Sequence, residues 1–137
     1  MSKYGAEKIN IDGINFDSKI EGKYYEKCKE DKAKGLILNF ELQPKYIIQP
    51  KYTNAEGKNI RAIILKADFL IYEINGTETV IDIKGMATAE ALMKRKMFGY
   101  THPKEKLLWI VRYGGQWIGY DENKKGVAKR KKEKVAK

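Results

Sequence analysis

The sequence predicts an α/β fold in one domain, in which two helices interrupt a series of strands. Apolar residues at helical spacing follow two candidate helix caps, Ser18 and Thr88. Between and after them lie runs rich in β-branched and aromatic residues, separated by turn signals such as Asn75-Gly76. A chain of 137 residues can bury one modest core, so we expect a single domain over residues 1–123.

The first predicted elements are a short ribbon and a helix. Isoleucines flank Asp12-Gly13, a dipeptide that favours a tight turn, which predicts a two-stranded ribbon over residues 8–16. Ser18 can cap the following helix and Gly35 can end it, while Glu21 lies at the spacing of a capping box. The residues predicted to face the core are Ile20, Tyr24 and Cys28.

The middle of the chain predicts a series of strands. Four apolar segments have strand character: residues 36–42, 46–48, 60–74 and 78–84. Residues 53–58 carry turn chemistry and predict a surface loop. Asn75-Gly76 is the strongest hairpin signal in the chain, so the strands before and after it should pair antiparallel.

The last predicted elements are a second helix and two strands. Thr88 can cap a helix that extends to about Tyr100, with His102 in the loop that follows. Its predicted apolar positions are Leu92, Met93, Met97 and Tyr100, and its basic face comprises Lys94, Arg95 and Lys96. A strand over residues 107–112 and an edge strand over residues 116–120 complete the domain.

The charge of the chain favours a polyanionic partner. There are 28 Lys and Arg against 18 Asp and Glu, a formal net charge of +10. Residues 124–137 carry +7 of this charge, which leaves +3 for residues 1–123. This basic tail is either a solvated, flexible end or an arm that binds nucleic-acid phosphates. Its candidate phosphate-binding residues are Lys129, Arg130, Lys131 and Lys132.

Composition argues against several classes of protein. No apolar run approaches the ~20 residues that span a bilayer, and the chain start lacks the apolar stretch of a signal peptide, so we expect a soluble intracellular protein with no membrane partner. Cys28 is the only cysteine, which excludes an internal disulfide or a cysteine-rich zinc site. His102 is the only histidine and is expected in a loop, which argues against histidine-centred catalysis.

Asp68, Asp82 and Lys84 form the pattern with the clearest chemical meaning. Because side chains alternate between the faces of a strand, Asp82 and Lys84 should project from one face of the sheet. The hairpin at Asn75-Gly76 should bring Asp68 close to Asp82. An acid within an apolar strand is costly unless it is compensated, and a bound metal ion would compensate it.

These residue types suit a divalent-metal site that cleaves phosphodiester bonds. Mg²⁺, or Mn²⁺ as a substitute, prefers carboxylates, waters and substrate oxygens. Asp68 and Asp82 are suitable ligands, and the Ile83 carbonyl and the Glu21 carboxylate could join them. Lys84 could orient or help deprotonate the attacking water, or stabilise the charged phosphate.

The order of elements and the acidic motif resemble the PD-(D/E)XK nuclease superfamily. The similarity covers about residues 17–112, in the order helix, strand, strand, strand, helix, strand. Four segments look like a phage and prophage group in this superfamily: Phe16-Asp17-Ser18-Lys19-Ile20-Glu21, Leu42-Gln43-Pro44, Ala67-Asp68-Phe69 and Asp82-Ile83-Lys84-Gly85. The resemblance makes Asp68 and Asp82 the two acids of the motif and Lys84 its lysine. Glu21 matches the helix-borne acid of many members.

The resemblance implies a restriction endonuclease-like core, with a mixed central β-sheet flanked by helices. Phage proteins of this size in the superfamily are often Holliday junction resolvases, which are metal-dependent DNA endonucleases. It therefore implies Mg²⁺ as cofactor, branched or four-way DNA as partner, and a homodimer with two active sites. It also implies a phage or prophage protein in the cytoplasm of a bacterial host. Ala67 replaces the motif's nominal proline, and Asp82 stands where glutamate is commoner.

The residues alone leave alternatives at each position. Glu21 could complete the Ser18 capping box instead of serving the site, since one carboxylate could not easily do both. Asp82 and Lys84 could be an exposed pair on an edge strand. The remaining candidates are Gln43, Lys66, Lys94, Arg95 and Lys96.

Those remaining candidates also have ordinary structural explanations. Gln43 could belong to a turn, and the basic helix residues could form a solvated face instead of contacting DNA phosphates. Lys66 is a candidate DNA contact because it should share a strand face with Asp68. For the whole protein, the alternatives are a non-catalytic nucleic-acid-binding module and a nuclease of other specificity, such as a nicking or restriction-like enzyme.

Overall fold

A computed structural model describes residues 7–125 of the chain. The first half contains β1 (Ile9–Ile11), β2 (Ile14–Phe16), α1 (Lys19–Ala33), β3 (Asn39–Leu42), β4 (Lys45–Gln49), β5 (Tyr52–Thr53) and β6 (Asn59–Ile60). The second half contains β7 (Ile63–Lys66), β8 (Phe69–Tyr72), β9 (Glu78–Ile83), α2 (Ala89–Thr101), β10 (Lys106–Tyr113) and β11 (Gln116–Gly119). Two helices interrupt a series of strands, as expected, which confirms the α/β class.

The predicted caps and turns form these elements. Asp12 and Gly13 have φ angles of 53° and 79° and make the turn between β1 and β2. Helix α1 begins where the Ser18 Oγ accepts a hydrogen bond from the Glu21 N–H at 3.1 Å. Helix α2 begins in the same way, since the Thr88 Oγ accepts a hydrogen bond from the Ala91 N–H at 3.1 Å. These predictions are confirmed.

A five-stranded mixed sheet lies at the centre of the fold. Its strand order is β11-β10-β9-β8-β3. Strands β9 and β10 are parallel because α2 connects them, and the other neighbours are antiparallel. β9 is therefore an inner strand with a partner on each side. The hairpin predicted at Asn75-Gly76 joins β8 to β9, and Asn75 Oδ1 accepts a hydrogen bond from the Thr77 N–H.

The single strand predicted over residues 60–74 is wrong, because the chain changes sheets at Ala67-Asp68. β7 pairs with β4 in a separate ribbon, whereas β8 pairs with β3 and β9 in the central sheet. At the break, the Ala67 N–H donates to the Pro44 carbonyl and the Asp68 N–H donates to the Ile81 carbonyl. We call residues 45–66, which continue through the short pair β5–β6, the arm.

Two apolar clusters cover the two faces of the central sheet. One face packs against α1 and the β1–β2 ribbon, and its buried members include Phe16, Tyr24, Cys28, Phe69 and Ile81. The other face packs against α2 and the root of the arm, and its buried members include Ile48, Leu65, Leu70, Val80 and Phe98. Successive residues of β9 thus enter opposite clusters, as the alternation of a strand requires.

Two predicted helix faces differ from those observed. On α1 the inward residues are Gly22, Tyr24, Tyr25 and Cys28, and Ile20 is 41% exposed because the face is centred on the contact with the ribbon. On α2 only Phe98 is buried. Three predicted apolar positions of α2 are exposed: Leu92, Met93 and Tyr100. The inward turn of α2 instead carries Ala91, Lys94 and Arg95, which line a cleft over the sheet.

Gly22 permits the close packing of α1 on the ribbon. A Cβ at this position would lie 2.9 Å from Ile11 Cδ1 and 3.1 Å from Ile9 Cγ2. We expect Gly22→Val to lower the free energy of unfolding by about 1–3 kcal/mol through overpacking. Gly99→Val in α2 is the matched control, because a Cβ there meets no atom within 4 Å. Denaturant titration should separate the two variants, and equal stabilities would contradict this packing.

The C-terminal part of the described chain is helical. Residues 120–125 form a helical segment, so the first two residues of the basic tail, at 124 and 125, continue it. The four tail residues proposed to bind phosphates, Lys129, Arg130, Lys131 and Lys132, lie outside the described residues. Within residues 7–125, no helix combines the length and apolar character needed to cross a membrane.

Candidate active site

Asp68 lies directly across the hairpin from Asp82. The register pairs Phe69 with Ile81, so Asp68, which precedes Phe69, lies opposite Asp82, which follows Ile81. The Asp68 Oδ2 accepts a hydrogen bond from the Ile83 N–H at 2.7 Å. The backbone of Asp68 remains hydrogen-bonded to Ile81 and Gln43, while its carboxylate bonds to β9.

Asp82 and Lys84 form a buried ion pair on the α2 side of the sheet. Lys84 Nζ lies 2.9 Å from Asp82 Oδ2, and the two side chains are 20% and 8% exposed. Val80, two residues before Asp82, belongs to the cluster on the α2 side, whereas Ile81 belongs to the cluster on the α1 side. The predicted shared face is therefore confirmed. Because β9 is an inner strand, the alternative of an exposed pair on an edge strand is wrong.

Glu21 approaches the same acids from the first turn of α1. Burial raises the pKa of Glu21, and the negative charges of Asp17 and Asp82 raise it further. A hydrogen bond from the Asp17 backbone and the charge of Lys66 act in the opposite direction. The cap of α1 is made between the Ser18 side chain and the Glu21 backbone, so the Glu21 carboxylate can face the acids while its own N–H completes the cap. Because this cap uses the Glu21 backbone, it does not decide between the two roles weighed for the Glu21 carboxylate.

The three carboxylates concentrate negative charge around Asp68. Burial raises the pKa of Asp68 well above its ordinary value, and the charges of Asp82 and Glu21 add to this effect. The hydrogen bond from the Ile83 N–H lowers the pKa but does not offset the other contributions. The site consequently favours the uptake of positive charge, either as a proton on Asp68 or as a bound cation.

The donor set fits a hard divalent cation. Asp68, Asp82 and Glu21 supply carboxylate oxygens, which Mg²⁺ and Mn²⁺ accept. Ile83 follows Asp82 in the chain, and its N–H bonds to the Asp68 carboxylate. Within residues 7–125, no three His, Cys, Asp or Glu side chains already adopt the spacing of a metal-ligand group. Asp82 instead faces Lys84, and Asp68 faces the Ile83 N–H.

The ring of Trp109 contacts two cationic side chains, Lys84 and Arg95, next to the acids. The parallel register places Trp109 next to Asp82, and its ring centroid is 5.0 Å from Lys84 Nζ and 4.0 Å from the Arg95 guanidinium carbon. Arg95 Nη1 also lies 3.1 Å from Asp121 Oδ2, in the C-terminal helical segment. Sequence reasoning missed Trp109 and Asp121. Trp109 faces inward in the strand predicted over residues 107–112, and this position could have identified Trp109 as a residue of the site.

Three depressions meet at these residues. A cleft of about 260 Å³ on the α2 side contains Asp82 and Lys84. Its other polar residues are Lys66, Thr88, Glu90, Lys94 and Arg95. We call Lys66, Lys94 and Arg95 the basic wall, in which Lys94 pairs with Glu90 at 3.1 Å. A larger depression of about 810 Å³ on the α1 side contains Glu21, Ile83 and Lys84. Asp68 and Glu21 share a third depression, of about 90 Å³, with Gln43. Lys84 thus borders both larger depressions.

The secondary candidates separate into those at the site and those away from it. Gln43 has a φ of 51°, and its N–H donates to the Asp68 carbonyl at 2.9 Å, so it belongs to the turn that positions Asp68. Lys66, Lys94 and Arg95 line the cleft with Asp82. Lys96 is exposed and is not among the residues that line that cleft. The solvated face proposed as the alternative for α2 therefore describes Lys96 but not Lys94 or Arg95.

Comparisons with known proteins identify the family of the chain. No curated protein and no solved structure matches it. One family model matches residues 1–115, a span that includes all three acids, Lys84 and the arm. The chain belongs to the family described as protein of unknown function (DUF1064).

Proposed function

We propose that this protein is a metal-dependent DNA endonuclease that hydrolyses phosphodiester bonds. The observation that carries the proposal is that Asp68 lies opposite Asp82, while Asp82 and Lys84 form an ion pair in a cleft with a basic wall. These residues are those of the motif of the PD-(D/E)XK superfamily, which the sequence resembles. The +10 charge of the chain agrees with a polyanionic substrate.

Each residue of the site has a role in this proposal. Asp68, Asp82 and Glu21 would hold Mg²⁺, with the Ile83 carbonyl as a further ligand. The ion, when bound, supplies Lewis-acid stabilisation of the phosphate and acidifies a coordinated water.

Lys84 is the cation closest to Asp82 and would orient the attacking water and stabilise the charge that develops on the phosphate. Lys66, Lys94 and Arg95 would bind the phosphates on either side of the cleaved bond. Trp109 would keep Lys84 and Arg95 in place while the substrate enters.

We infer branched DNA, and in particular four-way junctions, as the preferred substrate. This step rests on the resemblance to phage and prophage resolvases and implies a homodimer, because resolution of a symmetric junction requires two cuts. A phage or prophage protein with this function would act in the cytoplasm of its bacterial host.

A panel of DNA substrates tests this function. Purified protein is incubated with labelled four-way, flapped, linear and single-stranded DNA in Mg²⁺, Mn²⁺ or EDTA. Metal-dependent cleavage of the junction at paired symmetric positions is the expected result. Cleavage of linear DNA with equal efficiency would replace the resolvase assignment by a nuclease of other specificity. Structure-selective binding without cleavage in any metal would favour a non-catalytic nucleic-acid-binding module.

Arg95 offers a test of the basic wall. Its guanidinium lies on Trp109 and faces the cleft, so Arg95→Ala should remove about one phosphate contact. The plot of log affinity for duplex DNA against log salt concentration should then lose about 0.9 from the magnitude of its slope. Lys96→Ala on the exposed side of α2 is the control. An unchanged slope in the Arg95 variant would show that this residue does not contact phosphate.

A further inference from the structure

The arm accounts for the net positive charge of residues 1–123. Residues 45–66 contain five Lys and Arg and one Glu, a net charge of +4, whereas residues 1–123 together carry only +3. The rest of the body is therefore slightly acidic. Charge concentrated in this way on one projecting hairpin is typical of a surface that contacts a polyanion.

The root of the arm forms one side of the catalytic cleft. Ile64 and Lys66 of β7 line the cleft that contains Asp82. Lys45 is paired with Lys66 across the ribbon, and both are exposed. A strand that passes through the cleft would thus meet the arm as it leaves the site.

The far end of the arm contains a second groove. It has a volume of about 470 Å³ and is lined by Lys51, Tyr52, Thr53, Asn59, Ile60 and Arg61. Lys51 and Arg61 are exposed, and Tyr52 is 51% exposed. Cations next to an exposed aromatic ring are the combination that binds nucleic-acid strands, since the cations contact phosphates and the ring stacks on a base or sugar.

Chain geometry limits the distance between this groove and the cleft. Arg61 and Asn59 precede Lys66 by five and seven residues, with Arg61 and Ala62 between two strands, so they lie at most roughly 16 and 23 Å from Lys66 at about 3.3 Å per residue. At about 3.4 Å per base pair, the larger distance equals about seven base pairs of DNA.

We propose that the groove at the end of the arm is a second DNA-binding site, which holds the substrate strand within about seven base pairs of the phosphate in the catalytic cleft. Lys51 and Arg61 contact phosphates, and the Tyr52 ring packs against a base or sugar of the same strand. The inference relies on the proposed function for the position of the cleaved phosphate. Binding in the groove does not require cleavage.

Binding measurements in EDTA test the groove without reference to nuclease activity. Fluorescence anisotropy of a labelled four-way junction is followed between 50 and 200 mM salt for the full chain and its variants. Lys51→Ala with Arg61→Ala should weaken binding about tenfold or more at low salt and reduce the magnitude of the salt slope by about 1.8. Tyr52→Ala should weaken binding about tenfold, whereas Tyr52→Phe, which retains the ring, should bind within about twofold of wild type.

The matched control removes two exposed lysines from the opposite side of the molecule. Lys23→Ala with Lys32→Ala changes α1, which covers the other face of the sheet. If the double variant of the arm and this control variant bind the junction with the same affinity and the same salt dependence, the proposal of a second DNA-binding site is overturned. If the arm pair loses binding but wild type cleaves no DNA in Mg²⁺, the arm inference stands and the nuclease proposal fails.

A cross-link measures the distance between the two sites. Thr53→Cys places a thiol in the groove, and the native Cys28 is 2% exposed, with burial raising the pKa of its thiol to about 12. DNA with a thiol-reactive backbone group should cross-link most efficiently within about seven base pairs of the cleaved phosphate. Cross-links spread evenly along the DNA would contradict the proposed path.

Discussion

Lys84→Ala is expected to reduce the single-turnover rate of junction cleavage by about 10²–10⁴-fold. Lys84 is the cation nearest to Asp82, and its ammonium group is held by both that carboxylate and the Trp109 ring. Its removal takes away the group that would orient the water and stabilise the phosphate. Gel assays under single-turnover conditions measure the rate directly.

Metal binding separates this role from a structural one. Lys84 is not a proposed ligand, so the Ala variant should still bind Mn²⁺, with affinity equal to or higher than that of wild type because a competing cation has been removed. Lys96→Ala is the control for loss of a lysine outside the cleft and should cleave normally. A Lys84 variant that cleaves within about threefold of wild type would remove Lys84 from the chemistry.

Asp68→Asn is expected to stabilise the metal-free protein while abolishing cleavage. Burial and the neighbouring carboxylates raise the pKa of Asp68 in the folded chain, whereas the unfolded chain has the ordinary value of 3.8. The folded state therefore binds the proton more tightly, so stability is fully present below pH 3.8 and falls as the pH rises through the raised pKa. Asparagine carries no charge, and its side-chain oxygen can still accept the hydrogen bond from the Ile83 N–H.

The measurement is thermal unfolding in EDTA from pH 5 to pH 9. The advantage of Asp68→Asn over wild type should grow with pH and reach at least about 1 kcal/mol, or about 4 °C in Tm. Mg²⁺ should remove this advantage by stabilising only wild type. Glu56→Gln at the exposed tip of the arm is the control for loss of a carboxylate and should have little effect. A variant less stable than wild type at pH 8 in EDTA would contradict the electrostatic description of the site.

The site could be predicted largely because its geometry depends on local signals. Asn75-Gly76 defines the hairpin, and the period of a strand then places Asp82 and Lys84 on one face, opposite Asp68. Ser18 likewise marks the start of the helix that carries Glu21. These features require only turn chemistry and side-chain alternation, which are properties of short segments.

The parts that could not be predicted depend on contacts between distant segments. The break at Ala67-Asp68 exists because β7 pairs with β4 while β8 pairs with β9, and the apolar run through these residues has no Gly or Pro to mark it. The orientation of α2 over the sheet also could not be predicted from the sequence. Arg95 contacts Trp109 and Asp121, which are distant from it in the sequence, so no local pattern marks the side of α2 that faces the cleft.

The most direct test of the central claim is the rate of four-way junction cleavage by wild type and Asp82→Asn as Mg²⁺ is varied. Asp82 is the buried acid on which Asp68, Glu21 and Lys84 converge, and asparagine preserves its size while removing its charge. We predict Mg²⁺-dependent cleavage by wild type, a loss of at least about 10³-fold in the variant, and junction affinity in EDTA that is largely unchanged. Equal cleavage by the two proteins, or cleavage by wild type that persists in EDTA, would contradict the assignment of Asp68, Asp82 and Lys84 as a metal-dependent nuclease site.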